Sequence, residues 1–202
     1  MAESADAPTQ RPEYAERLHR IGGVWWKRVL NVQAPYRAHL RRLRLGYMLD
    51  VGCGVGRQLS HLDGNGVGVD HNADAVASVR ALGYRAYTAQ EFHGSEHGTP
   101  ARFDSMLFSH VLEHLPADAA VKLVAEYLPY VKPGGKVVFI TPQERGYASD
   151  STHVWFVGHA ETADIARRLR LRVEKQYSFP FPRPVGKIFT YNEFVMVGRV
   201  SA

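Results

Sequence analysis

Two carboxylates beside a glycine-rich turn are the residues of this sequence best suited to bind a charged ligand. Asp50 lies two positions before the first glycine in the run LDVGCGVG. Glycines let the backbone turn sharply and approach a ligand, and the N-terminus of a following helix points amide groups into the same gap. Asp70 ends the next apolar run, VGVD. A carboxylate at the first place can attract an ammonium group, and one at the second can accept both hydroxyls of a ribose.

The glycine turn lacks the features of the common phosphate-binding loops. A dinucleotide site needs Gly-x-Gly-x-x-Gly, in which the third glycine allows a helix to pack closely on a strand, and Arg57 occupies that position here. No Gly-Lys-Ser/Thr follows, which excludes a P-loop as well. The two acids instead predict a ligand with a ribose and an ammonium group. S-adenosylmethionine (SAM) fits that description.

Three histidines and a glutamate are candidates for proton transfer or metal binding. His110, Glu113 and His114 lie in the run SHVLEHL, and His153 lies in the later run DSTHVWF. Histidine is the usual base near neutral pH, so His153 is the first candidate for taking a proton from an acceptor and His110 the second. If the first run is helical, its two histidines and its glutamate share one face and can hold a divalent metal ion. A structural role, in which Glu113 and His114 hydrogen-bond to local backbone, is the alternative.

The elements that must position these residues alternate between strands and helices. Five apolar runs predict strands, at 47–51, 67–69, 84–87, 103–108 and 136–140. Helical segments are predicted between and after them, at 57–62, 74–82, 117–130 and 162–169. This alternation favours right-handed crossovers and a parallel sheet covered on both faces. Two further strands, 171–179 and 191–200, have no helix between them, so an antiparallel hairpin is expected at one edge of the sheet.

Four segments in order resemble the core motifs of class I SAM-dependent methyltransferases. They are LDVGCGVGRQLSHL, GVGVDHNADAV, FDSMLFSHVLEHL and YVKPGGKVVFITP. The resemblance covers about residues 46 to 142 and is weaker from there to the end. It implies an α/β fold with a Rossmann-like seven-stranded sheet, mostly parallel, with a reversed C-terminal hairpin and helices on both faces. The strand count made from the apolar runs agrees with it.

The same resemblance implies a cofactor site for SAM. The expected residues are Asp50, Gly52, Cys53, Gly54, Asp70, His71, Ala89, Gln90, Ser109 and His110. Among them, Asp50 and the glycines would hold the methionine end, Asp70 the ribose, the chain around Ala89 the adenine, and Ser109 the sulfonium side. Thr88 departs from the family, which often has an aspartate there. The flanking glycines favour Cys53 as a small packing residue and not as a nucleophile.

The resemblance also bears on the histidines. The loop around His153 is similar to an acid-x-Thr-His-Val segment of family members that act on oxygen acceptors. The spacing His110-x-x-Glu113-His114 formally matches one group of zinc peptidases, but the methyltransferase motif explains the whole segment. Some related O-methyltransferases resemble this arrangement and use a metal ion to lower the pKa of the acceptor hydroxyl.

The leading hypothesis is therefore an O-methyltransferase acting on a small molecule, with sugars as candidate acceptors. Aromatic residues that could stack on an acceptor are Tyr147, Trp155, Phe156, Phe179 and Phe181. Arg183 or Lys187 could meet a carboxylate or phosphate; alternatively, the proline-rich segment 179–184 is a rigid loop with its aromatics in the core. Trp25 and Trp26 could close a lid over the cofactor or anchor the first helix.

Two other functions compete with this hypothesis. RNA methylation is favoured by the net charge of +5, from 25 Lys and Arg against 20 Asp and Glu. Against it, the chain has Ser109-His110-Val111-Leu112 where base-amino methyltransferases of this class typically have Asn/Asp-Pro-Pro-Tyr, so a nucleic-acid partner is not expected. The other alternative is a non-catalytic SAM-binding protein.

Composition sets the wider expectations. The 202 residues, 45% hydrophobic and 22% charged, are typical of one globular domain, and the single Cys53 excludes an internal disulfide. No apolar run approaches the roughly 18 residues of a membrane span, and the N-terminus has no secretion-signal pattern, so a cytoplasmic location without a membrane partner is expected. The predicted organisation is a flexible tail (1–12) and a single domain (13–202), made of N-terminal helices (13–45), a cofactor-binding core (46–142), and acceptor loops with the terminal hairpin (143–202).

Overall fold

The structure, a computed structural model, describes residues 33–201 and centres on one seven-stranded sheet. The strands are β1 (Met48–Val51), β2 (Gly66–Asp70), β3 (Ala86–Thr88), β4 (Phe103–Ser109), β5 (Val131–Pro142), β6 (Arg172–Phe179) and β7 (Glu193–Arg199). The α-helices are α1 (Ala34–Arg42), α2 (Arg57–His61), α3 (Ala73–Ala81), α4 (Ala89–Gly94), α5 (Ala117–Tyr127), α6 (Glu144–Tyr147) and α7 (His159–Arg168). Short 3-10 turns lie at Leu112–His114, Leu128–Tyr130 and Arg183–Lys187.

The sheet is mostly parallel and ends in an antiparallel pair. Its strand order is β3-β2-β1-β4-β5-β7-β6. Strands β1 to β5 pair in parallel, whereas β7 runs antiparallel to both β5 and β6. The predicted α/β fold is confirmed, including the C-terminal hairpin. Because the first five strands are parallel, their carboxyl ends lie along one edge of the sheet, where ligands of open α/β sheets bind.

Two of the element boundaries that differ from the sequence prediction have local reasons. Strand β5 begins at Val131 because Val131 already pairs with Phe103; the ladder then skips the Pro-Gly-Gly turn and resumes at Lys136. The helix expected to reach residue 130 ends at Tyr127, because Pro129 cannot continue the α-helical hydrogen bonds and a 3-10 turn follows.

The expectations for residues 1–32, including the flexible tail and the role of Trp25 and Trp26, lie outside the described residues. Pro35 falls in the first turn of α1, where a missing N–H has no cost. It therefore marks the start of a helix within the segment 13–45 that was predicted to hold the N-terminal helices. Within residues 33–201, none of the helices combines the length and apolar character needed to cross a bilayer.

Buried apolar side chains fix the strands that carry the site. Successive strand residues alternate between two clusters, as Met48 and Leu49 do in β1, and Met106 and Leu107 do in β4. This alternation means that the sheet is covered on both faces. The ends of β1 and β4 are thus held rigidly, which matters for the residues that follow them.

Candidate functional site

The turn after β1 requires glycine at several positions. Gly52, Gly54 and Gly56 all have positive φ, at +75°, +50° and +79°. A Cβ atom on Gly52 would lie 2.4 Å from Cγ2 of Val111, in the segment that follows β4. Any larger residue at that position would push the two loops apart. The glycine turn therefore brings the backbone close to the segment that follows β4.

Asp50 is a buried carboxylate that lacks a full set of partners. It is 1% exposed, and among the described residues its Oδ2 atom has no hydrogen-bond partner. Burial, and then the nearby Asp70, raise the pKa of Asp50 to about 7. An orphaned buried carboxylate oxygen is costly, and a ligand ammonium group would satisfy it. The residue therefore fits the amino group of SAM.

A pH dependence of cofactor binding follows from this raised pKa. Between pH 6 and pH 7 the ionised fraction of Asp50 rises, so the affinity for S-adenosylhomocysteine (SAH) should increase about fivefold, since its ammonium group stays charged over this range. Isothermal titration calorimetry at the two pH values measures the change. The Asp50→Asn variant, which cannot ionise there, should show no such increase; an equal pH response in both proteins would assign the effect to another group.

Asp70, the residue predicted to bind the ribose, holds the glycine turn in place. Its Oδ2 accepts the Gly54 N–H at 2.8 Å and its Oδ1 accepts the Asn72 N–H at 2.9 Å. The exposed His71 places Nδ1 3.5 Å from Asp70 Oδ1. Each carboxylate oxygen can accept more than one hydrogen bond, so Asp70 retains capacity for ribose hydroxyls. The two bonded amides tie the glycine turn to the end of β2.

Thr88 has a structural reason for departing from the family pattern. It is the N-cap of α4, where its Oγ1 accepts the Glu91 N–H at 3.2 Å and its own N–H donates to Glu91 Oε2 at 2.7 Å. Such a capping box satisfies two orphan amides of the first turn. It places Ala89 and Gln90, the residues expected beside the adenine, in the first turn of that helix.

Two further cofactor-site residues have defined surroundings. Ser109 Oγ accepts a hydrogen bond from Nε2 of Gln58 at 2.8 Å, which joins α2 to the end of β4. Cys53 is 7% exposed and belongs to a core cluster, and a Cβ on Gly68 would lie 2.6 Å from its Sγ. Burial raises the pKa of the Cys53 thiol. These contacts agree with a packing role for that side chain.

His110 lies between two glutamates. Its Nδ1 is 3.2 Å from Glu113 Oε1, and its Nε2 is 2.9 Å from Glu193 Oε1. Burial disfavours the charged ring, but the bonds to Glu113 and Glu193 outweigh it and raise the pKa of His110 to about 10, although 40% of the side chain is exposed. An imidazolium cannot accept a proton. Its assignment as a base stays a prediction, one that this charge state disfavours.

His153 has a nitrogen free for proton transfer. Its Nδ1 lies 2.8 Å from the Tyr147 carbonyl oxygen, which can only accept, so Nδ1 carries the hydrogen, and in the neutral ring Nε2 has the lone pair. The Tyr147 ring stacks on the imidazole at 5.2 Å. Thr152 donates through its N–H and its hydroxyl to Asp150 Oδ1, at 3.0 Å and 2.8 Å, which shapes the loop. The first candidate base is therefore held in a suitable tautomer.

The residues that the structure brings together for metal binding differ from the expected three. Donor atoms of Glu113, His114 and His153 all lie within 4.8 Å of one another. His110 instead has both ring nitrogens bonded to glutamates. The predicted set of His110, Glu113 and His114 requires a helix from 110 to 114, but His110 has φ +58° and the 3-10 turn includes only Leu112–His114. His153 from the later loop takes the place expected for His110.

On the acceptor side, several predicted residues already have partners. Arg183 is paired with Glu144 and lies over the Phe194 ring at 4.7 Å. Tyr147 and Phe156 contact each other edge to face at 5.3 Å. The segment 180–191 exposes Phe181, Ile188 and Tyr191. Of the aromatic residues named from the sequence, Tyr147 contacts His153. Arg183, named as a possible partner of an acceptor carboxylate or phosphate, is already paired with Glu144.

Three polar residues of the site were missed from sequence. Glu193 begins β7 and contacts His110 across 83 positions of the chain. Buried Gln143 donates to the Glu193 carbonyl at 3.0 Å and accepts from buried Asn192 at 3.0 Å. No local motif marks these residues. Only the antiparallel pairing of β5 with β7, which sets Pro142 opposite Glu193, brings them to the site.

Comparison with known proteins agrees with this architecture. Residues 15–191 match a family model described as a methyltransferase domain. A ubiquinone biosynthesis O-methyltransferase from Serratia proteamaculans (strain 568) is 30% identical over 145 residues, which are 62% of this chain and 58% of that protein. The chain thus spans little more than half the length of this relative.

Solved structures of methyltransferases share the fold. A SAM-dependent methyltransferase from Archaeoglobus fulgidus superposes with a TM-score of 0.64 at 18% identity, over 81% of this chain and 92% of that one. The magnesium protoporphyrin IX methyltransferase of Synechocystis PCC 6803, solved with bound SAH, superposes with a TM-score of 0.67 at 12% identity. The superposition covers 96% of this chain and 98% of that one. At these identities the likeness shows the fold alone.

Proposed function

The chain belongs to the methyltransferase domain family, and from this premise we propose that it uses SAM as its cofactor and methylates a hydroxyl group of a small molecule. The observation that carries the proposal is the free Nε2 of His153, fixed by the bond from Nδ1 to the Tyr147 carbonyl oxygen. A hydroxyl must lose its proton as its oxygen attacks, and a neutral imidazole can take it. The O-methyltransferase from Serratia, distant as it is, supports an oxygen acceptor.

The proposed reaction divides the work between two parts of one sheet edge. When bound, SAM supplies a sulfonium methyl group whose C–S bond breaks as the C–O bond forms, which leaves SAH. Asp50 holds the ammonium end and Asp70 the ribose, both beside the glycine turn. His153 takes the hydroxyl proton at Nε2. Since methyl transfer depends on holding the oxygen in line with the methyl group, the stacked Tyr147 ring helps by fixing the imidazole.

The family assignment does not specify an acceptor, and we propose sugars and phenols. Aromatic faces near His153 suit flat or sugar-like acceptors, so sugars and phenols with free hydroxyls form the first panel to test. RNA methylation and SAM binding without turnover are the competing outcomes. Transfer of label to RNA with no transfer to the panel would favour the first, and SAH binding without transfer to either would favour the second.

Replacement of His153 with alanine tests the assigned base. The variant should lower kcat by at least about 100-fold, because general-base catalysis contributes roughly that much or more. Its calorimetric affinity for SAH should equal that of the wild type, since the residue lies outside the cofactor pocket. His93→Ala is the matched control, because His93 is an exposed histidine paired with Glu126 away from the site. Full activity of the His153 variant would move the base to another residue.

A further inference from the structure

Glu113, His114 and His153 form a compact set of potential metal ligands, called here the Glu-His-His cluster. One donor atom from each lies within 4.8 Å of the others. Ligands at ~2.0–2.1 Å from a tetrahedral ion are roughly 3.4 Å apart, so small side-chain rotations close the set around an ion. The three residues come from two segments, the 3-10 turn after β4 and the loop after β5.

The imidazoles of the cluster are oriented as metal ligands commonly are. His153 Nδ1–H donates to the Tyr147 carbonyl oxygen at 2.8 Å. His114 Nδ1 lies 3.3 Å from the Thr152 carbonyl oxygen, so it too carries the hydrogen. Each ring therefore keeps its lone pair on Nε2. Metal-bound histidines typically donate their other N–H to a carbonyl or carboxylate, which fixes the tautomer.

Glu113 supplies an independent indication of a missing partner. The residue is 0% exposed, and among the described residues its Oε2 has no hydrogen-bond partner. Its other oxygen contacts His110 Nδ1 at 3.2 Å. A buried carboxylate oxygen without a partner is costly, and a cation between Glu113 and the two imidazoles would satisfy it.

Docking of the loop does not explain the buried carboxylate. The N–H groups of Val154 and Trp155 donate to the backbone carbonyl of Glu113, at 2.9 Å and 3.2 Å. Any residue at position 113 would provide that carbonyl. The loop is thus anchored without the side chain, and the carboxylate is left to serve another purpose.

We propose that the Glu-His-His cluster binds a divalent transition-metal ion such as Zn²⁺ or Mn²⁺. Two imidazoles and one carboxylate suit such ions better than Ca²⁺, which takes oxygen ligands. Three protein ligands leave positions open for a small molecule. His110 stays outside the set and orients Glu113 by its hydrogen bond.

The metal site adds detail to the proposed function. Only the role of the ion in the reaction rests on that function; binding of the ion does not. An acceptor hydroxyl at an open position would have its pKa lowered by the ion. With the ion bound, His153 Nε2 would be a metal ligand and would no longer act as the base, so the ion would activate the hydroxyl and its proton would pass to solvent. His153→Ala should lower kcat in either case. Metal binding itself needs no acceptor, so it can be measured apart from methyl transfer.

Calorimetric titration of the full chain with Zn²⁺ and with Mn²⁺, after treatment with a chelator, tests the proposal. The expected result is one saturable site for at least one of the two ions, weakened at least about tenfold by Glu113→Gln and by His153→Ala. His93→Ala, which alters a surface histidine, should bind as the wild type does. Absence of saturable binding of both ions, or equal affinity in the wild type and the Glu113 variant, would overturn the proposal.

A second measurement uses only the wild-type protein, so it does not depend on whether the variants fold. Wild-type protein titrated with Co²⁺ should develop visible d–d absorption from a nitrogen- and oxygen-ligated ion, which one equivalent of Zn²⁺ abolishes. An aqueous Co²⁺ spectrum throughout would contradict the site. If metal binds but no hydroxyl is methylated, the proposed function is wrong and the metal site is supported. If hydroxyls are methylated without metal binding, the proposed function is supported and the metal site is wrong.

Discussion

Replacing Asp50 with asparagine is expected to weaken SAH binding by about 1,000-fold and, at the same time, to stabilise the ligand-free protein. The loss of affinity follows because the variant leaves the ligand ammonium group in a buried place without a counter-charge, which costs roughly 3–5 kcal/mol. Calorimetry with SAH measures it directly. A variant that binds SAH as tightly as the wild type would remove Asp50 from the cofactor site.

The gain in stability follows from the raised pKa of Asp50. Its pKa is 3.8 in an ordinary environment and about 7 in the folded chain. The folded state therefore holds this proton more tightly than the unfolded state, and its stability falls as pH rises from about 4 to 7. Above pH 7 the ionised carboxylate costs on the order of 4 kcal/mol, which asparagine removes. The expected increase in Tm at pH 8 is about 8–16 °C, and it should vanish near pH 4.

Asp70→Ala should also weaken cofactor binding, but unlike Asp50→Asn it should lower the thermal stability of the ligand-free protein. Loss of the ribose contacts is expected to lower the affinity for SAH about 100-fold or more, since two hydrogen bonds to a charged acceptor are removed. The variant also leaves the N–H groups of Gly54 and Asn72 without their acceptor. Each unpaired buried amide costs about 1–3 kcal/mol, so Tm should fall.

Comparing the two variants separates ligand contacts from general damage. Both should bind SAH weakly, yet thermal unfolding without ligand should rank Asp50→Asn above the wild type and Asp70→Ala below it. Asp70→Asn is the matched control, because its amide oxygen can still accept one of the two N–H groups and should recover part of the lost Tm. A wild-type affinity for SAH in Asp70→Ala would contradict the ribose assignment.

Local patterns in the sequence were sufficient to predict the fold and to place two acids beside the glycine turn. Apolar runs separated by helical segments predicted the parallel strands, and two runs without a helix between them predicted the antiparallel β6 and β7. The acids at 50 and 70 could be located because Asp70 ends β2 and Asp50 is the last residue but one of β1, each next to a turn. Such features depend on neighbouring residues, which a linear sequence displays directly.

The acceptor end could not be assembled from sequence, because it depends on contacts between distant segments. Glu193 reaches His110 only through the pairing of β7 with β5. His153 meets Glu113 only because the later loop docks on the backbone carbonyl of that residue. The positive φ of His110, +58°, breaks the helix on which the original metal-binding set was based.

The central claim is that methyl transfer occurs to oxygen beside His153. The most direct test incubates the purified chain with SAM labelled in its methyl group and a panel of hydroxylated sugars and phenols, and identifies the labelled atom by NMR. We expect label in an O–CH₃ group, reduced at least about 100-fold in His153→Ala. Label on nitrogen or carbon, or transfer to RNA with no transfer to any hydroxyl of the panel, would contradict the claim.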